Sequence, residues 1–146
     1  MIQIDNKNLE EIQAHAERDY PHECGGMLIG HLGPDGSKTV VEIFPLENAR
    51  EEEARHNRVL ILPKDVLRAE RYARERKLDV IGYYHSHPES PAVPSQYDLD
   101  NALPVWSYVI ASVLKGKTAD IRSWQMEDDR SKFNEEEIQR ALQASD

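Results

Sequence analysis

Apolar stretches of two periods, some helical and some strand-like, interleave along this chain and predict one α+β or α/β domain with a mainly antiparallel sheet. Three observations carry the expectation. The 146 residues suffice for a single domain, since domains commonly run to roughly 100–200 residues. Two segments, around Leu9 to Ala16 and Pro63 to Lys77, repeat apolar side chains at helical spacing. Between and after them, short apolar runs are joined by turn sequences, Gly33-Pro34-Asp35-Gly36 and Lys115-Gly116-Lys117, of the kind that link antiparallel strands.

Taken in order, Leu9, Ile12 and Ala16 mark a first helix, with Asn8 and Glu11 spaced as a capping box and Pro21 closing the segment. Gly25 to His31 reads as a buried strand, and Lys38 to Leu46 as its antiparallel partner across the Gly33–Gly36 turn. The polar stretch from Glu47 to Arg58 reads as loop. Pro63 suits the first turn of a second helix, whose Val66, Leu67, Ala69, Tyr72 and Ala73 form an apolar face. Asp79 to His85 is expected as a central strand. After a proline-rich loop from Ser86 to Pro94, a short helical turn spans Gln96 to Ala102 and Pro104 stops it. Trp106 to Leu114 and Ala119 to Met126 form a hairpin. The whole of 1–146 is expected as one domain, with 127–146 as an acidic C-terminal helix or tail.

Composition narrows the function. Hydrophobic residues are 39% and charged residues 31% at a mean hydropathy of -0.70, and no apolar run approaches the roughly 18 residues of a membrane helix, which argues against a membrane protein. The N-terminal Met1-Ile2-Gln3-Ile4-Asp5 lacks the basic flank and apolar stretch of a signal peptide, and the lone Cys24 has no disulfide partner, so a cytoplasmic location is expected. A net charge of -9 repels a phosphate backbone and sets nucleic acid aside. Bases outnumber acids between Arg50 and Lys77, nine to six, and that basic middle can steer an acidic protein partner.

The chemistry concentrates in Tyr84 to Asp98. Residues i and i+2 of an extended segment share a face about 7 Å apart, so His85 and His87 can aim their imidazoles at one point. Asp98, eleven residues after His87, can fold back as a third, anionic ligand. Two histidines, one carboxylate and an open fourth position describe catalytic zinc. Blander readings stand beside this one. A His-x-His pair at a strand end also occurs without metal, and Ser95 and Asp98 fit a Ser-x-x-Asp capping pattern. The two uses compete for Asp98, because a carboxylate engaged at the cap cannot easily serve a metal as well.

The run His-x-His-Pro, six residues, Ser-x-x-Asp, preceded by a glutamate at the start of a Gly-containing apolar strand, resembles the JAMM motif of the MPN-domain metalloproteases, in their compact prokaryotic form. His85, His87, Pro88, Ser95 and Asp98 match every defined position, and Glu23 is the upstream acid. The resemblance implies a cytidine-deaminase-like three-layer sandwich, its mainly antiparallel mixed sheet flanked by helices. It implies one zinc ion per chain held by His85, His87 and Asp98, and hydrolysis of peptide or isopeptide bonds. Glu23 then takes the proton from the attacking water and passes it to the leaving amine, and Ser95 donates to the oxyanion. The implied substrate is a ubiquitin-like or sulfur-carrier protein cut after a Gly-Gly tail, and a homo-oligomer is compatible with the pattern.

Alternatives are weaker on this sequence. Zinc deaminases need His-x-Glu and Pro-Cys-x-x-Cys, and the chain has one cysteine. A non-haem iron oxygenase shares the two-histidine, one-carboxylate set but favours a double-sheet barrel. A non-catalytic MPN-type scaffold usually lacks ligands that are all present here, and a general oligopeptidase is the remaining enzymatic alternative. His15, His22, His31 and His56 have no paired spacing and read as surface or packing residues, and Cys24 as a small buried side chain.

Overall fold

The computed structural model describes residues 1–46 and 63–140. Its elements in chain order are β1 (Ile2–Gln3), α1 (Asn6–Asp19), β2 (Gly25–Leu32), β3 (Lys38–Leu46), α2 (Pro63–Glu75), β4 (Asp79–Pro88), α3 (Gln96–Asn101), β5 (Ser107–Leu114), β6 (Lys117–Met126), β7 (Phe133–Glu136) and β8 (Ile138–Gln139). The strands form one mixed sheet in the order β7-β6-β5-β4-β2-β3-β1-β8. Most neighbours are antiparallel; β4 runs parallel to β5, and β1 parallel to β3 and β8. Among the described residues no helix is long and apolar enough to cross a membrane.

Each face of the sheet has its own core. Leu9, Ile12 and Ala16 form one stripe of α1 and pack with Leu28, Tyr84, Val109, Ala111 and Val113. On the opposite face, Ala69 of α2 joins Met27, Tyr83, Tyr108 and Met126. This helix–sheet–helix layering agrees with the expected α+β sandwich. Leu67, expected on the buried stripe of α2, is instead 55% exposed.

Two local expectations are corrected. The cap of α1 is Asp5, whose carboxylate accepts from the Asn8 N–H at 2.9 Å, and Asn8 lies within the first turn with its side-chain amide on the Val41 carbonyl at 3.1 Å. The second concerns the acidic C-terminal helix or tail expected over 127–146. Phe133–Glu136 and Ile138–Gln139 are strands separated only by Glu137, although they stand at opposite ends of the strand order. Ile2 N–H donates to the Glu137 carbonyl at 3.0 Å and Ile4 N–H to that of Gln139 at 2.9 Å. One extended segment therefore satisfies the edges of both β6 and β1, and the sheet curls around α1. Edge pairing outweighs the weak strand propensity of Glu135 and Glu136. Residues 141–146, and the 47–58 loop expectation with its His56, lie outside the described residues.

The parallel β4–β5 pair positions the site. Parallel neighbours cannot be joined by a hairpin, so the chain must cross over after Pro88, and the crossover holds the proline-rich loop and α3. That connection starts at the C-terminal end of the strand carrying both motif histidines.

Candidate active site

Strand β4 lies between β2 and β5, pairing His85 with Gly25 on one side and with Ile110 on the other, so its backbone is fixed from both edges. Alternation sends Tyr83, His85 and His87 to one face and Tyr84 and Ser86 to the other. The Nε2 atoms of His85 and His87 face each other at 3.1 Å, and the Tyr83 ring stacks on His85 with centroids 5.4 Å apart.

Helix α3 brings Asp98 to them. Its Oδ1 stands 3.2 Å from His85 Nε2 and its Oδ2 3.2 Å from His87 Nε2. The capping box is also complete: Ser95 Oγ accepts from the Asp98 N–H at 3.1 Å, and Asp98 Oδ2 accepts from the Ser95 N–H at 2.8 Å. The expected competition for Asp98 is thus corrected. Placed third in its helix, the carboxylate caps with one oxygen and still presents the other to His85, and the cap holds it toward the histidines.

The donor set fits a tetrahedral metal. One ligand atom from each of His85, His87 and Asp98 lies within 4.8 Å of the others. Ligands bound to zinc at about 2.0–2.1 Å stand roughly 3.3 Å apart along a tetrahedron's edges, close to the 3.1 and 3.2 Å separations here. The tautomer agrees. His87 Nδ1 is 3.0 Å from the Pro91 carbonyl, which only accepts, so Nδ1 carries a proton; in the neutral ring this leaves the Nε2 lone pair toward the shared centre, and in the protonated ring Nε2–H donates to Asp98. Burial opposes charge on His87, but hydrogen bonds to Asp98 and the Pro91 carbonyl, with the negative charges of Asp98 and Glu23, raise its pKa above the ordinary histidine value. Burial alone would raise Asp98; its hydrogen bonds to His85 and His87 hold the carboxyl well below the usual carboxylate range.

These residues open on a cleft of about 1050 Å³ that Glu23, Ser95, Tyr97 and Trp106 also line. Glu23 is half-buried in the connection between α1 and β2, and Ser95 is exposed at the start of α3. All five motif residues therefore reach one cavity. Burial pushes the Cys24 thiol up to about 12, which removes the thiolate a cysteine nucleophile needs. His31 is exposed, and His15 is buried against Tyr84, 2.7 Å from its hydroxyl, as surface and packing residues.

The sequence reading missed the groups that support the ligands. The Pro91 carbonyl orients His87, and the Trp124 indole donates to the Ala92 carbonyl at 3.0 Å, tying the loop to β6. A backbone carbonyl leaves no signature in residue type. Tyr83 did have one, two positions before His85 on the same strand face.

Residues 5–127 match the family described as prokaryotic homologs of the JAB domain. A probable TtuB-protein conjugate cleaving protease of Thermus thermophilus is 32% identical over 102 residues, covering 70% of this chain and 64% of that protein. The chain thus spans just under two thirds of that relative's length. The CysO-cysteine peptidase of Mycobacterium tuberculosis is 32% identical over 116 residues, covering 79% of this chain and 75% of the peptidase. A solution structure from Desulfitobacterium hafniense superposes with a TM-score of 0.83 at 30% identity, covering 98% of this chain and 94% of that one. The family match includes every motif residue, and the chain belongs to the prokaryotic JAB-domain family.

Proposed function

We propose that this protein is a zinc-dependent peptidase or isopeptidase that cuts after the Gly-Gly tail of a ubiquitin-like or sulfur-carrier protein. The observation that carries the reading is the His85–His87–Asp98 set, three ligand atoms converging at the wall of a cleft that Glu23 and Ser95 also line. Zinc held by His85, His87 and Asp98 would supply an acidified water and a Lewis acid for the scissile carbonyl. Glu23, in the cleft but outside the ligand set, takes the proton from water and returns it to the leaving amine. Ser95 already accepts the Asp98 N–H at its oxygen, so its own proton is available to donate to the developing oxyanion.

Support for the substrate comes from the relatives, one named for cleaving TtuB–protein conjugates and another for cleaving CysO-cysteine. Because β2 and β5 occupy both edges of β4, an extended substrate cannot add to the metal strand itself and must enter through the cleft. Glycines pass most easily where a backbone must come close to the ligands. The test measures zinc per chain, then compares cleavage of a carrier conjugate, the same conjugate with the penultimate glycine changed to valine, and unrelated peptides. Stoichiometric zinc and selective cleavage of the Gly-Gly conjugate are expected. Equal rates on all three make the enzyme a general oligopeptidase, and a chain that cannot be loaded with zinc ends the reading.

A further inference from the structure

Glu23 sits in a short arm, residues 20–24, between α1 and β2, and one side chain at the start of the metal loop ties that arm across to the ends of β4 and β5. Glu89 follows the last residue of β4 and takes a φ of 56°, a left-handed conformation that residues other than glycine adopt sparingly. In this conformation its Oε2 accepts from the Tyr20 hydroxyl at 2.5 Å and from the Lys115 N–H at 2.5 Å, and its own N–H donates to the Val113 carbonyl at 2.8 Å. One residue thus joins the Glu23 arm, the β5–β6 turn and the end of the histidine strand.

The arm's other end is held by the same strand. Cys24 N–H donates to Ser86 Oγ at 2.8 Å, and Ser86 N–H donates to the Cys24 carbonyl at 3.1 Å. Glu23 therefore lies between Tyr20 and Cys24, each of which is bonded to the segment that runs through His85 and His87 to Glu89. The chemistry assigned above gives Glu89 no part.

We propose that Glu89 is a positioning residue, fixing the Tyr20 end of the arm so that Glu23 is presented to the cleft in one orientation. The inference rests on the role proposed for Glu23. Without Glu89 the arm keeps its backbone bonds to α1, Tyr20 N–H to the Ala16 carbonyl at 3.2 Å and His22 N–H to that of Asp19 at 2.8 Å, and its tie to Ser86, but loses its side-chain link to the metal loop, and a displacement of about 1 Å at a reacting group can cost about a hundredfold in rate.

The test uses the zinc-loaded full chain with Glu89→Ala, Glu89→Gln, Tyr20→Phe and the Tyr20→Phe/Glu89→Ala double variant. Three quantities are read: amide hydrogen exchange over 20–24, zinc per chain, and kcat and KM on a carrier conjugate. In Glu89→Ala and Tyr20→Phe, exchange over 20–24 rises while β2 and β4 stay protected. Zinc stays stoichiometric, and kcat falls about ten- to a hundredfold with KM within about twofold. Glu89→Gln, which keeps an acceptor oxygen, recovers most of the loss, and the double variant is no worse than Glu89→Ala. Unchanged exchange over the arm in both single variants overturns the proposal, as do losses that add in the double variant or a rate loss explained by lost zinc. If the unaltered chain neither holds zinc nor cleaves the conjugate, the proposed function fails, while exchange over the arm still decides whether Glu89 is the clamp.

Discussion

Strand β4 supports a histidine cluster on each of its faces, and the two are built to opposite ends. On the α1 side, both ring nitrogens of His15 have partners: Nδ1 lies 2.7 Å from the Tyr84 hydroxyl and Nε2 3.4 Å from Asp19 Oδ2. On the cleft side, both Nε2 atoms turn toward Asp98 and toward each other, and His85 Nδ1 is buried with no hydrogen-bond partner. A histidine satisfied by the protein is finished. Two imidazole nitrogens and a carboxylate oxygen converge on one point, so the second cluster is arranged around a centre that a single cation can share with all three. Burial alone does not separate the clusters, since His15, His85 and His87 are all buried; the convergence of two Nε2 atoms on one carboxylate does.

The largest effects should break the cleft cluster while leaving its counterpart intact. His87→Ala removes a proposed ligand and is expected to abolish both stoichiometric zinc and turnover, with the α1-side core preserved in the amide spectrum. Glu23→Gln keeps the metal and lowers the rate by about 10²–10⁴, the range for a lost general base. Elemental analysis beside single-turnover kinetics reads both. A His87→Ala chain with full zinc removes that ligand from the set, and an active Glu23→Gln enzyme removes the proton shuttle.

Ser95→Ala comes next. It takes away the proposed oxyanion donor, at about 10²–10³ in rate, and the N-cap acceptor of α3, at about 0.5–2 kcal/mol of local stability. Since the cap also orients Asp98, zinc should be bound more weakly than in Glu23→Gln. Titration with a competing chelator checks this, and equal zinc affinity in the two variants means that the cap does not hold Asp98 for the metal.

Much of this comparison could be read before any coordinates. Strand alternation and a fixed-length loop are local properties that residue order records, so spacing pointed to His85, His87 and Asp98, whereas the parts given to Glu23 and Ser95 came only from the family resemblance. The groups that distinguish the clusters were less legible. Tyr84 is the neighbour of His85, and only the strand's alternation, together with Gly26, makes it the partner of His15; a Cβ at Gly26 would come within 2.4 Å of the Tyr84 ring. Likewise Asp5 and Asn8 are both good caps by type, and the tertiary bond from the Asn8 amide to Val41 leaves Asp5 to cap α1. The strands at Phe133–Glu136 and Ile138–Gln139 were hidden because their reason for existing is the pair of open edges at β6 and β1, which are far apart in sequence.

The smallest effect sharpens the comparison from the buried side. Asp19 can only accept, so His15 carries its proton on Nε2 and accepts the Tyr84 O–H at Nδ1. Burial, only partly offset by Asp19, lowers the His15 pKa below its ordinary value of 6.5. A histidine whose folded pKa lies below its unfolded one stabilises the fold above the unfolded value, and this contribution is lost as pH falls through the folded value. Protonation also takes the acceptor from Tyr84. Unfolding free energy should therefore fall between about pH 7 and pH 5 by more in the natural chain than in His15→Gln, because every other group is common to both and cancels in the difference. Tyr84→Phe should cost about 1–3 kcal/mol at pH 7 with zinc content unchanged, since it leaves His15 Nδ1 buried without a donor. Denaturant titrations at the two pH values measure both effects. Identical pH dependence in the natural chain and His15→Gln would show that His15 is not held neutral by the fold, and loss of zinc in Tyr84→Phe would show that the two faces of β4 are not independent.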